Sequence, residues 1–152
     1  MHSGSVSAIL IKRHSAHPAK EAGQEAVEFA LLLPLLLLIV FGVLDLGRAF
    51  HAAIVITNAA RVGVRYGMDY YNDYNGIRDA ALTEAQGSGI VLTTDNVDAY
   101  CIDPLDSANF PFPCSSGTPI RVTVTYDFTL ILGFVLPDPT IQIYRDTEMM
   151  VP

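Results

Sequence analysis

Histidine, the usual general base near neutral pH, is almost missing from this chain once its first stretch is set aside. His2, His14 and His17 all lie before Gly23, which leaves His51 alone. A serine or cysteine triad would have to be built around that one residue, and nothing in the spacing supports it. There is no phosphate-binding glycine loop. The two cysteines, Cys101 and Cys114, form no Cys-x-x-Cys pair and have no histidine nearby, so zinc is not expected. The acids of Asp69 to Gly76 miss the EF-hand spacing. The sequence therefore predicts no enzyme, no cofactor and no metal. Paired carboxylates arise by chance in so acidic a chain and read as solvated surface.

Positive charge is also scarce, and unevenly placed. The 152 residues carry 9 Lys and Arg against 16 Asp and Glu, a formal net charge of −7. Met1 to Gly23 holds Lys12, Arg13 and Lys20 against Glu21, a net of +2. Gln24 to Pro152 holds the other six basic and fifteen acidic residues, a net of −9. A body this acidic lacks the counterion-release drive for nucleic acid. Its expected partners are other proteins and, through an anchor, the lipid bilayer.

That anchor is the run from Phe29 to Leu44, sixteen uncharged residues interrupted only by Pro34 and Gly42, and extended at the front by Ala26 and Val27. Spanning a bilayer core takes roughly 17–25 helical residues. The run just spans, with Glu28 at one edge and Asp45 at the other. Basic residues before a first span keep the N-terminus in the cytoplasm. Met1 to Gly23 has no packing face and reads as a disordered cytoplasmic leader. A secretory signal would be cut after the apolar core, and Gly47-Arg48-Ala49 is a weak candidate for that. A cut at Gly23-Gln24 instead would discard the leader and keep the anchor. It would also place a new amine at Gln24, one helical turn from Glu28, and residues i and i+4 share a helix face. Such a pair offsets part of the cost of a carboxylate beside a membrane, about 2.5–3.5 kcal/mol at a span centre.

A glycine, a cut, a glutamate five residues on, an aromatic at Phe29 and then an apolar helix resemble the processing site of type IV pilin-like proteins. The fuller string resembles the TadE-like pseudopilins of tight-adherence (Flp) pilus systems. It comprises Gly23 to Ala30, Leu33-Pro34, Gly42 with Asp45-Leu46-Gly47-Arg48, and Asn58 to Gly67. The resemblance implies an α+β, type IV pilin-like fold, a long N-terminal membrane-spanning helix packed on a small antiparallel sheet. It implies cleavage after Gly23 by a prepilin peptidase. It also implies a minor pilin or pseudopilin that meets other pilin subunits and the assembly platform, in the cytoplasmic membrane and then in a surface pilus. The other class that fits is a single-pass, signal-anchored protein with an extracytoplasmic binding domain that never polymerises.

Pro34 removes a helix hydrogen bond and predicts a kink, either simply tolerated in the span or a soft point for extraction from the bilayer. No proline interrupts Asp45 to Met68, so one helix is expected from Val27 to Gly67, roughly 60 Å long. Ala49, Ala53, Ile56, Ala60, Gly63 and Gly67 recur every three or four residues along it. Such a stripe packs on the protein's own domain, with a sister helix, or both at different levels. Arg61, Arg65 and Asp69 share a face, a weak exposed set worth about 0.3–0.5 kcal/mol per pair.

Asp69 to Gly76 reads as a turn, with Tyr70, Tyr71 and Tyr74 as a packing cluster or a contact surface. A short helix is expected over Ile77 to Ala85, stopped by Gly87-Ser88-Gly89. Strands are expected over Ile90 to Thr93, Val97 to Ile102, Ile120 to Leu130 and Thr140 to Met150. Ile120, Val122, Val124, Tyr126, Phe128 and Leu130 alternate without fault and need a cover, which the second half of the long helix provides. Asp103 to Gly117 reads as a loop. Leu130 to Leu136 is either a hairpin turn packed on the helix or a patch near the membrane surface. If this part lies outside the cytoplasm, a Cys101–Cys114 disulfide is the favoured state over two buried thiols. The domain organisation is then 1–23 leader, 24–68 long helix with its transmembrane half at 27–44, and 69–152 extracytoplasmic domain.

Overall fold

A computed structural model describes residues 19–103, 105–106, 108–134 and 138–152. The leader up to residue 18 lies outside the described residues, as do Val135, Leu136 and Pro137 of the apolar hairpin. The chain divides into two units, Met1–Leu37 and Leu38–Pro152. Among the described residues, two α-helices, two 3-10 turns and four strands follow one another along the chain.

Helix α1 runs Ala19–Asp69 and takes in Pro34 without interruption. It begins earlier than expected, since the end of the presumed patternless leader is helical. Ala19, Lys20, Glu21 and Ala22 are strong helix formers, and no proline follows them until Pro34. Within 27–44 the helix is almost wholly exposed, with Phe41 and Gly42 half-buried. It is long and apolar enough to cross a membrane.

Helix α2 spans Tyr74–Gly87, a turn longer at its start than the sequence suggests. Tyr74, Asn75 and Gly76 are its first residues rather than a turn. Asp73 makes the difference. Its carboxylate accepts the Gly76 N–H at 2.9 Å and so caps the helix, and the Tyr66 hydroxyl donates to its other oxygen at 3.0 Å. Ser88 closes the far end, and Gly89 turns the chain with φ +85°, a backbone region open to glycine.

Ile90 to Thr93 is not a strand. The Ile90 N–H returns to the Ala85 carbonyl at 3.0 Å, and the Thr93 N–H goes to Asn96 Oδ1 at 2.8 Å. These local bonds take up the backbone groups that a sheet ladder would need, and a 3-10 turn follows at Thr94–Asn96. The strands are β1 Val97–Ile102, β2 Asn109–Phe110, β3 Pro119–Thr129 and β4 Thr140–Met150. They form one antiparallel sheet in the order β2-β1-β3-β4. Strand β2 lies inside the stretch read from sequence as loop. It pairs Phe110 with Cys101 and Asn109 with Ile102. Cys101 and Cys114 form a disulfide that ties the returning loop to β1.

The core lies on one face of the sheet. Ile120, Val122, Val124 and Phe128 of β3 are buried, with Tyr126 and Leu130 packed beside them. Ala52, Val55, Ile56, Ala59, Ala60 and Val64 of α1 cover them, with Ile77, Ala81 and Ala85 of α2. Small residues set how closely the helices approach. A Cβ on Gly63 would meet Ala81 Cβ and the Ile77 carbonyl at 3.2 Å and a Val122 methyl at 3.3 Å. On the outer face Arg121 of β3 donates to Glu148, its register partner on β4, from Nε at 2.7 Å.

Two outcomes follow from this packing. Gly63→Val should destabilise the domain by about 1–3 kcal/mol through overpacking, measured by chemical denaturation. A variant as stable as the parent would show that α1 and α2 can part freely. Replacing both cysteines with alanine should cost about 3 kcal/mol on the same measurement, from the loop that the bond closes. In the unreduced parent protein, thiol alkylation should add no mass.

Candidate functional site

The motif residues of the first unit lie on one exposed helical turn and its neighbours. Gly23 has open space around it, with nothing within 4 Å of a Cβ placed there. The Gln24 side chain donates to Glu28 Oε1 at 3.3 Å across one turn. Residue 24 and the carboxylate therefore share a face, as the i,i+4 spacing requires. Phe29 and the leucines after it are exposed. Such a surface is costly in water and stable in lipid or against other helices.

The second unit contains a site that the sequence pointed to only in part. Asp45 is the first charged residue beyond the 27–44 run, and it is buried, with 4% of its surface exposed. Its Oδ1 accepts the Ile131 N–H at 2.9 Å, and Oδ2 accepts the Leu132 N–H at 3.0 Å. These are the opening amides of the 3-10 turn Ile131–Phe134, which joins β3 to β4. Arg48, one turn along α1, pairs with Asp45 Oδ1 at 3.0 Å. The same guanidinium lies 5.0 Å from the centre of the Phe128 ring and reaches the Thr129 carbonyl at 3.4 Å. Asp45 thus caps a turn far away in sequence and holds its first two residues, Ile131 and Leu132, to the helix. Gly133 is needed there, because any side chain would run into Pro139. Gly42, Leu46, Ala49, Leu130 and Ile143 help to line an apolar hollow of about 290 Å³ beside the carboxylate.

Burial by itself pushes the Asp45 carboxyl up. The two backbone N–H groups and Arg48 outweigh it, so the group titrates below the ordinary 3.8. The stabilisation is fully present above that ordinary value and is lost only as pH falls through the lowered one. An acid at the edge of the apolar run with an arginine three residues on was visible in the sequence. Its backbone partners on the β3–β4 turn were not.

The small-residue stripe divides between two environments. Ala60, Gly63 and Gly67 are buried under α2 and β3, and Ala49 is packed at the core's edge. Ala53 is half-buried and opens onto a groove with Phe50, Ile54, Arg61 and Arg145. The tyrosines also divide. Tyr71 and Tyr74 pack against the core, and Tyr70 is exposed with its ring 4.9 Å from that of Tyr66. A hollow of about 470 Å³, which the sequence did not suggest, lies between Tyr74, Tyr100, Phe110 and Phe112 at the β1–β2 edge. Burial, and then the nearby Asp98 carboxylate, raise the Tyr100 hydroxyl above its ordinary value. His51 is exposed in a groove lined, among the described residues, by Gly47, Arg48, Gly89, Tyr126 and Phe128 and by no serine, cysteine or carboxylate.

Replacing Asp45 by alanine should free the two amides that it holds. Hydrogen exchange at Ile131 and Leu132 should speed up in Asp45→Ala while that of the β1–β3 ladder stays slow. Unchanged protection at both amides would mean that the carboxylate does not hold the turn. In the parent protein the same two amides should stay protected at neutral pH and lose protection only as pH falls below the lowered Asp45 value.

Residues 23–65 match the family model described as TadE-like protein. Neither the curated proteins nor the solved structures give a match. The matched stretch takes in Gly23, Gln24 and Glu28, the apolar run, the Asp45–Arg48 pair and α1 as far as Arg65. Proteins of this family are structural rather than catalytic. That stretch of helix is thus similar to TadE-like proteins, and the helix with its small antiparallel sheet makes an α+β, pilin-like fold.

Proposed function

We propose that this chain is a minor pilin or pseudopilin that takes part in assembling a tight-adherence (Flp) pilus, after a prepilin peptidase removes residues 1–23. The observation that carries this reading is the Gly23/Glu28 pair at the head of an exposed apolar helix that matches the TadE-like family. An aspartate or glutamate beside a span is costly unless something neutralises it. Cleavage after Gly23 supplies a neutralising group, since the new amine of Gln24 lies on the Glu28 face, within one chain or toward a neighbour. Gly23 also suits a cut inside helical backbone. Glycine weakens a helix by about 1 kcal/mol relative to alanine, so this turn opens for a peptidase more readily than its neighbours.

In the same reading 27–44 holds the subunit in the cytoplasmic membrane, with the N-terminus inside and the domain 69–152 outside. The disulfide accords with a domain in an oxidising compartment. Pro34 is the point where the helix bends on leaving the bilayer for a filament. The domain at the end of α1 suits a minor or initiating subunit better than a bare shaft helix. Its partners are then the peptidase, other pilin subunits and the assembly platform.

Mass spectrometry of the mature protein tests the proposal directly. The expected N-terminus is Gln24, with or without a methyl group. An intact leader, or a start near Phe50, would sink it. Glu28→Ala should still be cleaved but should assemble poorly, and normal pili in that variant would show that charge pairing at the N-terminus is dispensable.

A further inference from the structure

Six arginines lie among the described residues, in a body rich in acids. Arg48 pairs with Asp45 and Arg121 with Glu148, and Arg78 lies over the Tyr74 ring and donates to the Thr94 carbonyl. The remaining three, Arg61, Arg65 and Arg145, have no carboxylate partner among the described residues, although Arg145 donates to the carbonyl of its neighbour Tyr144 at 2.8 Å. They are gathered on one side. Arg61 of α1 and Arg145 of β4 line a single groove of about 380 Å³, and Arg65 follows Arg61 one turn along the same helix face. The groove's apolar wall is Phe50, 63% exposed, and Ile54, 61% exposed. Large side chains left this open beside uncompensated cations mark a surface that meets something apolar and negative.

The molecule carries the complement elsewhere on its surface. A second groove, of about 680 Å³, is lined by Val62, Tyr66, Asp73, Asp79 and Glu84 and shares no residue with the first. Two complementary, non-overlapping surfaces on one chain describe a heterologous, head-to-tail contact, which continues into a filament when its rotation does not close. We infer that the Phe50–Ile54–Arg61–Arg145 groove receives the acidic α1–α2 groove of a second copy of this chain.

The levels of the two grooves along α1 sharpen the inference. The arginine groove is centred near residue 56 and the acidic one near residue 64. Copies anchored in one membrane run parallel, and with parallel helices the contact needs an axial shift of roughly 12 Å. That shift suits successive subunits of a filament rather than two copies at one membrane depth, so this step rests on the pilin reading. A lipid headgroup is the other anionic candidate. Arg61 lies sixteen residues beyond Asp45, roughly 24 Å along the helix, whereas the headgroup layer on one side of a bilayer is about 5–8 Å deep.

The test uses the full chain in detergent, with sedimentation velocity at low ionic strength. Arg61→Glu with Arg145→Glu makes both grooves acidic, and Asp79→Arg with Glu84→Arg reverses the other groove. Each double variant alone should self-associate more weakly than the parent by roughly tenfold or more. An equimolar mixture of the two should regain association, because each groove again faces its opposite. Thermal melts with the parent's midpoint would show that both variants are folded. Three results would overturn the inference: a monomeric parent, variants that associate like the parent, or a mixture that fails to recover. Loss of binding to phosphatidylglycerol vesicles in Arg61→Glu/Arg145→Glu, with self-association intact, would assign the groove to lipid instead. The N-terminal mass of the same preparations separates the two readings. Cleaved variants without recovery in the mixture sink the groove alone, and an uncleaved parent sinks the pilin reading while leaving the association measurable.

Discussion

Strand β3 presents Ile120, Val122, Val124 and Phe128 to one side, and left in water that face would not hold a sheet of four strands. The cover comes from α1, and its closeness depends on Ala59, Ala60, Gly63 and Gly67, which bring helix backbone near the strand side chains. Longer residues there would lift α1 from β3 and pry α2 from both. The same constraint divides the labour of the helix. From residue 52 onward one face is committed to the core. Over 27–44 the helix has almost no protein cover, and its apolar surface requires lipid or other helices.

Asp45 lies where these two regimes meet. A buried carboxylate is tolerated when its lone pairs are filled, and here two amides and a guanidinium fill them. The consequence is mechanical as well as electrostatic. The start of the β3–β4 turn is fastened to α1 at the end of the apolar run, so the hairpin is held both through its ladder and where its turn begins. A domain that must be carried by its helix gains a second point of attachment. The disulfide does comparable work at the other side of the sheet, where β2 is only two residues long and gives the returning loop little ladder to hold.

Charge follows a related logic. Three of the six described arginines, Arg48, Arg78 and Arg121, are engaged by acids, a ring or a carbonyl elsewhere in the chain, and two of the others, Arg61 and Arg145, share a groove with exposed apolar side chains. Three acids, Asp73, Asp79 and Glu84, line a different groove. The contact proposed between copies of the chain rests on this separation of basic and acidic grooves.

The sequence by itself determined the periodic elements. The apolar run of 27–44, the alternation of Ile120 to Leu130 and the proline-free stretch after Asp45 each carry one dominant period, and each became helix or strand nearly where expected. It also put Gln24 and Glu28 on one helix face, because that relation lies within one turn. What depended on capping was misread. Asp73 turned Tyr74 to Gly76 into helix, and local bonds at Ile90 and Thr93 displaced a strand. Only the tertiary structure decided which helix face is spent on the core and which stays open, since spacing marks a stripe but not its partner. It alone paired Asp45 with Ile131 and Leu132, and brought Arg61 beside Arg145. Those contacts join residues that are distant in the chain, and no local pattern encodes a partner that far away.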